Sequence, residues 1–285
     1  MLLTVPNVSE GRDEQAVARI GAAFASVGDV RLLDMHRDAD HHRSVFTLAG
    51  EPGRLAGALV AGARSVLEEI DLGADAGVHP HVGALDVAPL VFLSPADRGA
   101  ACVEALVAAE ELGRLGLPVL LYGALADGRT RAELRRGGPG ALAERMDGGE
   151  LHADFGPDRP HPTAGATLVA ARAPLVAFNL ELAPPAALAD ARRIAAIARE
   201  ELPGVRALGL ALASRGVVQV SFNVEDPFAI PLARVVETVA RHAELAAAEL
   251  VGLAPEAAFA GFPAELPIPG FDPDRHLLER ALARG

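Results

Sequence analysis

Two histidines, His79 and His81, flank a proline in the stretch ADAGVHPHVGALDVAPLVFL, residues 74–93. Pro80 disfavours helix at the residue before it, so we expect His79 on a loop that leads into an apolar strand. An imidazole held in such a place titrates near neutral pH and can serve as general base or acid. A surface or capping histidine gives the same pattern, and the spacing alone leaves both interpretations open.

A metal site is the third interpretation of this stretch. His79 and His81 share a face if their backbone is extended. The other histidines that could supply ligands are His36, His41 and His42. Because these residues do not form a closed set with recognisable zinc spacing, we expect no metal.

Two charged residues border predicted strands. Arg43 opens the strand RSVFTLAG beside His41 and His42, where it could bind a substrate carboxylate bidentately. A solvated hairpin charge fits the same position. Asp86 lies in the strand that follows the histidine loop, and it could orient an imidazole or be an edge-strand carboxylate.

Several uncharged residues are candidates for ligand contacts. Asn7 and Ser9 lie where a strand passes into a helix, and backbone amides at such a junction can face a ligand. Ser9 is the predicted N-cap of that helix. Asn179 and Asn223 interrupt apolar strands at corresponding strand ends, so each is expected to stabilise a turn or contact a ligand. The loop GPDRPHPTAG, residues 156–165, either approaches a flat ligand or is a plain connector.

Composition limits the classes of function. The net charge of −12 argues against binding to long nucleic acids, which depends on basic contacts to phosphate. The sequence contains no lysine, so Schiff-base chemistry and a P-loop are excluded, and anionic ligands must be bound by arginine, histidine or helix N-termini. The one cysteine, Cys102, is predicted to lie in the core. We expect a soluble cytoplasmic protein without a membrane span.

The predicted elements place these residues in a repeated order. Strand and helix patterns follow β-α-β-β-α-β in the first half of the chain and again after the Pro/Gly-rich segment 154–167. This order predicts an α+β fold of two ferredoxin-like βαββαβ subdomains with a ligand cleft between them. The predicted subdomains are residues 1–170, which carry His79, and residues 171–285, which include a Pro-rich tail.

Several motifs together resemble one family. They are VPNVSEG (5–11), GVHPHVGALDVAP (77–89), LLYG (120–123), DFGPDRPHPTAGAT (154–167), AFNLEL (177–182), VVQVSFNV (217–224) and ELVGL (249–253). In this order they resemble the formiminotransferase domain of glutamate formimidoyltransferase, over about residues 3 to 255. The likeness is to the stand-alone form, and we expect no cyclodeaminase domain in this chain.

The resemblance implies a reaction and a set of residues. It implies transfer of the formimino group of N-formimino-L-glutamate to N5 of tetrahydrofolate, a co-substrate, by a homodimer that binds folate between its subdomains. His79 matches the family's catalytic histidine, and residues 156–165 match its folate loop. The residues expected to bind folate or substrate are Asn7, Ser9, Arg43, Asp86, Gly156, Pro157, Thr163, Gly165, Asn179 and Asn223.

Three positions depart from the family pattern. Ala164 stands where the family usually has tryptophan, His42 where it has asparagine, and His36 where it often has aspartate. These changes keep two other hypotheses open. One is a folate- or anion-binding relative that uses another donor, such as a formyl group, or has no transferase activity. The other is a metal-dependent hydrolase.

Overall fold

The apolar segments of the chain form two separate β-sheets in a computed structural model, which describes residues 1–73 and 80–284. The chain divides into two compact units, Met1–Arg172 and Ala173–Gly285. Within the described residues, the N-terminal unit carries a seven-stranded sheet and the C-terminal unit a four-stranded sheet. His79 lies outside the described residues.

The N-terminal unit begins with alternating strands and helices and ends with an extension. Its strands are β1 (Leu2–Thr4), β2 (Asn7–Val8), β3 (Arg31–Asp38), β4 (Arg43–Gly50), β5 (Leu85–Phe92), β6 (Val119–Leu121) and β7 (Thr167–Arg172). Its helices are α1 (Glu14–Phe24), α2 (Leu55–Glu69), α3 (Arg98–Arg114), α4 (Arg131–Leu134) and α5 (Gly138–Asp147). The short strands β1 and β2 both lie between β4 and β5. Antiparallel pairing therefore runs β5, β1 with β2, β4 and β3, and β7 and β6 continue the sheet parallel to β5.

Both faces of this sheet are covered where β5, β7 and β6 lie. Residues of α1, α2 and α3 pack on one face, with Phe24, Phe46 and Leu59 fully buried in the largest apolar cluster. Residues of α4 and α5 form a second apolar cluster with the sheet, which includes Leu142 of α5 and Leu168 of β7. Parallel strands covered on both faces are rich in apolar residues, as these are.

Asp13, not Ser9, caps helix α1. The Asp13 carboxylate accepts hydrogen bonds from the backbone N–H groups of Gln15 and Ala16 at 2.9 and 3.0 Å. The Ser9 hydroxyl instead donates to the carbonyl of Gly83 at 2.8 Å. The prediction that Ser9 is the N-cap was wrong because Ser9 directly follows β2, four residues before the cap, and contacts the chain that leads into β5.

The C-terminal unit has the same chain order without the extension. Its elements are β8 (Val176–Leu182), α6 (Leu188–Glu201), β9 (Val205–Leu212), β10 (Val217–Val224), α7 (Leu232–Ala240), β11 (Leu245–Val251), α8 (Pro273–His276) and α9 (Leu278–Ala283). The antiparallel sheet runs β11, β8, β10, β9. Alternate residues of β8 and β10, including Phe178 and Phe222, pack with Ile194 of α6 and Val235 of α7 in one core.

The predicted fold class, α+β, is confirmed, and each unit contains βαββαβ in chain order with the first strand next to the third and fourth. A common origin by duplication stays a prediction. Strand β7 was not predicted, because LVAAR lies between the Pro/Gly-rich segment 154–167 and the next predicted strand and was assigned to neither. None of the helices in the described part of the chain is both long and apolar enough to cross a membrane.

Candidate active site

The carboxylate of Asp86 lies at the centre of a buried polar network at the start of β5. Asp86 is fully buried. Its Oδ2 accepts hydrogen bonds from Arg43 Nη1 at 2.9 Å and from Arg135 Nη2, and its Oδ1 accepts one from the Val82 N–H at 2.9 Å. Because an unpaired buried charge is strongly unfavourable, these three donors are what allow a carboxylate to lie at this buried position. The edge-strand interpretation was wrong, since β5 is an interior strand.

Arg43 links this carboxylate to the first strand pair. Its Nε and Nη2 both donate to Asn7 Oδ1, at 3.0 and 2.8 Å, and Asn7 Nδ2 donates to the Val5 carbonyl at 2.9 Å. The Arg43 side chain is 11 % exposed, so it is not a solvated hairpin charge. Its contacts show a side chain that holds Asp86 and Asn7 in place. A direct contact with a substrate carboxylate stays a prediction.

Burial and the charge of Asp86 have the largest effects on the pKa of Arg43, and two other arginines contribute less. Burial lowers the pKa of Arg43 to about 10, the charge of Asp86 opposes this, and the charges of Arg135 and Arg131 lower the pKa further. A guanidinium with this pKa is still protonated at neutral pH.

Arg135 is a residue of the site that the sequence did not single out. It follows helix α4, and its guanidinium forms an ion pair with the Asp86 carboxylate. In the sequence it is one of several arginines in RTRAELRR, and spacing does not distinguish it from the others. Arg135 can contact Asp86 because Leu134 and Leu142 pack α4 and α5 onto the sheet.

The end of the predicted folate loop pairs with the chain that follows His79. The Ala84 N–H donates to the Ala164 carbonyl, and the Ala166 N–H donates to the Val82 carbonyl, both at 2.9 Å. On the other side of residues 74–79, the Leu72 N–H donates to the Thr163 carbonyl at 2.9 Å. The loop that contains Thr163 is therefore hydrogen-bonded to both described flanks of the histidine stretch.

Glycine is required at the centre of this pairing. Gly165 has φ +66°, and a Cβ there would overlap the Val82 carbonyl oxygen. The backbone at Gly83 approaches the Ala166 carbonyl just as closely. The two chains can come this near only because neither residue has a side chain.

The beginning of the folate loop lies against other elements. Gly156 has φ +79°, and its backbone packs on Gly113 at the end of α3 and on Leu117. Pro157 follows it and is half-buried. Asp154, just before, accepts a hydrogen bond from the Leu121 N–H at 2.7 Å. The loop is thus anchored at β6 at one end and at Val82–Ala84 at the other.

The two predicted asparagines of the C-terminal unit have different surroundings. Asn179 lies in the middle of β8, not at a strand end, and its amide donates to Glu249 Oε2 at 2.8 Å. Gln219 of β10 donates to the same oxygen at 3.2 Å. Asn223 lies near the end of β10, opposite Ala177. Ligand contacts of Asn179 and Asn223 stay predictions.

His41 and His42 contact the end of β3 and the segment between β2 and α1. His42 Nδ1 accepts a hydrogen bond from the Gly11 N–H at 3.1 Å, and His41 Nδ1 lies 3.0 Å from Asp38 Oδ1. Across residues 1–73 and 80–284, no three histidine, cysteine, aspartate or glutamate side chains are grouped so as to hold a metal ion. Cys102 is half-buried and packs against the main core.

Comparison with known proteins assigns the chain to a family. The protein-family model described as "Formiminotransferase domain, N-terminal subdomain" matches residues 1–172. The chain belongs to the formiminotransferase family. This match covers Asn7, Arg43, Asp86 and Arg135, so the whole polar network lies inside the family's N-terminal subdomain.

Relatives of this formiminotransferase include both stand-alone and longer proteins. The chain is 35% identical to glutamate formimidoyltransferase of Streptococcus pyogenes serotype M1, over 98% of this chain and 97% of that protein. It is 34% identical to glutamate formimidoyltransferase of Thermoplasma acidophilum, over 98% of this chain and 96% of that protein. It is also 34% identical to formimidoyltransferase-cyclodeaminase of Gallus gallus, of which it covers 50%.

Proposed function

We propose that this chain is an enzyme that transfers the formimino group of N-formimino-L-glutamate to N5 of tetrahydrofolate. The observation that carries the proposal is 35% identity, over nearly the full length of both chains, to a protein named glutamate formimidoyltransferase. The buried network around Asp86 supports it, because the substrates carry carboxylates and the network gathers arginines in a chain of net charge −12.

In this proposal His79 moves the proton. Tetrahydrofolate supplies a nucleophilic nitrogen, N5, which forms a bond to the amidine carbon of the donor. His79 accepts the proton that N5 loses and returns it to the glutamate nitrogen as the bond between that nitrogen and the amidine carbon breaks. The products are N5-formimino-tetrahydrofolate and glutamate, and one imidazole completes both proton transfers.

The residues near the described flanks of His79 position it and the folate. Ser9 and Asp86 hold the chain from Val82 to Ala84 by hydrogen bonds to backbone groups. Arg43 and Asn7 orient Asp86. The residues proposed to line the folate are Gly156, Pro157, Thr163, Gly165, Asn179 and Asn223.

Further parts of the proposal concern the whole protein. Residues 1–170 form the subdomain that carries His79, and residues 171–285 form the second subdomain with its Pro-rich tail. The enzyme acts in the cytoplasm as a homodimer, in histidine degradation and one-carbon metabolism, without a metal, a nucleic acid or a membrane as partner.

A folate-binding relative without transfer activity is the second candidate, and one observation favours it. Ala164 is 1% exposed and belongs to the core, so this position offers no aromatic surface on which a pterin could stack. A relative of this kind would bind folate but transfer nothing from formimino- or formylglutamate.

A spectrophotometric transfer assay distinguishes the two candidates. The purified chain is incubated with tetrahydrofolate and N-formimino-L-glutamate, and with N-formyl-L-glutamate in a parallel reaction. Calorimetric titration with 5-formyl-tetrahydrofolate measures folate binding separately. Turnover with the formimino donor supports the proposal. Folate binding without turnover from either donor supports the second candidate and refutes the first.

A further inference from the structure

Three side chains beside the Asp86 network carry hydrogen-bond donors for which residues 1–73 and 80–284 supply no acceptor. Tyr122 is 6% exposed, and no partner for its buried hydroxyl exists among the residues that the structure describes. The same holds for the buried Nε of Arg135, whose Nη2 contacts Asp86. Buried donors are nearly always satisfied in native proteins, so each of these requires an acceptor from outside the described protein atoms, either water or a ligand.

Arg131 is the third donor. Its guanidinium carbon lies 5.8 Å from the centre of the Tyr122 ring, a cation–π arrangement. Within the described parts of the chain Arg131 forms no salt bridge, whereas its neighbours Arg129 and Arg135 do. A half-buried arginine held over an aromatic face without a counter-ion is available to bind an anion.

These donors belong to one small area. Arg131 begins α4 and Arg135 directly follows it, one helical turn later, where the Arg135 N–H donates to the Arg131 carbonyl at 2.9 Å. Side chains with this spacing lie on the same face of a helix. Tyr122 follows β6 directly, so its ring lies next to the face on which α4 packs.

Positive charge exceeds negative charge in this area. Arg43, Arg131 and Arg135 contribute three guanidinium groups, and Asp86 is the carboxylate that Arg43 and Arg135 share. Glu133 of α4 is bonded to the backbone and hydroxyl of Thr130, where it completes a capping box. An anion that entered would meet donors whose charge Asp86 only partly balances.

We propose that Arg131, Arg135 and Tyr122 form a subsite that binds a substrate carboxylate, an inference that rests on the proposed function. The Arg131 fork, the Arg135 Nε–H and the Tyr122 O–H match the planar, two-oxygen acceptor of a carboxylate. Both the formimino donor and the glutamate part of folate carry this group. The contact of the Arg131 guanidinium with the Tyr122 ring keeps these two groups close together.

Two conservative variants test the subsite. Tyr122→Phe removes one hydroxyl and keeps the ring, and Arg131→Gln removes the charge. We expect each to raise the KM of one substrate about tenfold, with kcat within about threefold of wild type. Neither variant breaks a hydrogen bond in the described structure, so both should fold. Arg136→Gln, which alters an exposed arginine paired with Glu150, is the matched control and should leave both KM values unchanged.

The substrate whose KM rises identifies the source of the carboxylate. A higher KM for N-formimino-L-glutamate assigns the subsite to the donor, and a higher KM for tetrahydrofolate assigns it to the folate tail. If both KM values stay within about twofold of wild type in both variants, the subsite does not exist as proposed.

Binding measurements separate this inference from the proposed function. If the wild type shows no turnover, calorimetry with L-glutamate and with 5-formyl-tetrahydrofolate still reports on the subsite. Binding of either probe that weakens about tenfold in Arg131→Gln and Tyr122→Phe supports a carboxylate subsite even though the reaction is wrong. Equal binding by wild type and both variants, or no binding of either probe by the wild type, overturns it.

Discussion

Replacing Asp86 by asparagine tests whether the buried carboxylate holds the site together. Asparagine has nearly the same shape and can still accept the Val82 N–H, but it has no charge. Asp86→Asn leaves Arg43 and Arg135, which are 11 % and 12 % exposed, facing each other without their shared counter-ion. Transfer activity should fall as well, because both arginines lose the group that orients them.

The structure sets the size of the effect on stability. Removing one partner of a buried ion pair costs about 3 to 5 kcal/mol, because the remaining charge is buried without compensation. For a chain of this size, 1 kcal/mol changes the melting temperature by about 2 to 4 °C. We therefore expect Asp86→Asn to melt about 6 °C or more below wild type in scanning calorimetry, and to show a correspondingly lower free energy of unfolding in urea.

The matched control removes the same charge from the surface. Glu110 is 55 % exposed and pairs with Arg114 at 2.5 Å. Glu110→Gln should cost less than about 1 kcal/mol, because exposed ion pairs contribute little. A melting temperature of Asp86→Asn within about 2 °C of wild type would refute the reasoning. So would full additivity with Arg135→Gln, since removing one guanidinium should relieve part of the repulsion in the double variant.

Three further substitutions, and Gly216→Ala as a control for one of them, test other elements of the N-terminal unit. Gly165→Ala should destabilise the chain by about 2 kcal/mol or more and weaken binding of 5-formyl-tetrahydrofolate, because the added Cβ overlaps the Val82 carbonyl oxygen. Gly216→Ala, at a similar φ but with open space around it, should cost only about 1 kcal/mol, and equal costs in urea unfolding would contradict this account. Glu104→Gln should lower the free energy of unfolding by about 2 kcal/mol. The buried Glu104 carboxylate accepts hydrogen bonds from N–H groups at the start of α2, at 2.6 to 3.0 Å. An unchanged urea midpoint would show that this cap is dispensable. Hydrogen bonds from the α1 N-terminus lower the pKa of Asp13 below its ordinary 3.8, so its stabilisation is present above that pH and lost as pH falls through the lowered pKa. Asp13→Ala should therefore lower the melting temperature at neutral pH, with a difference that shrinks as the pH falls below the ordinary pKa of 3.8, and a constant difference would exclude the carboxylate as its cause.

Local patterns in the sequence predicted much of the fold and the first part of the site. Alternation of strands and helices is a short-range property, and it indicated βαββαβ in both halves. Arg43 and Asp86 stood out because each is a charge at the edge of an apolar strand. Asn7 was found in the same way, as a polar residue between a strand and a helix.

The rest depends on contacts between distant parts of the chain. Arg135 reaches Asp86 across 49 positions, and nothing near Arg135 in the sequence indicates that contact. Strand β7 is identified as a strand by parallel pairing, with Leu168 opposite Val87. Glu104 resembles a solvent-facing charge in a helix, yet it is buried and bonds the N–H groups at the start of a different helix. Such roles become visible only when the helices are packed on the sheet.

The most direct test of the central claim is the transfer assay with His79→Ala beside the wild type. Wild-type enzyme supplied with tetrahydrofolate and N-formimino-L-glutamate should turn over. In His79→Ala we expect turnover to fall by about a hundredfold or more, while the Kd for 5-formyl-tetrahydrofolate stays within about threefold of wild type. Turnover by His79→Ala at the wild-type rate would contradict the proposed role of His79, and absence of turnover in the wild type would contradict formimino transfer itself.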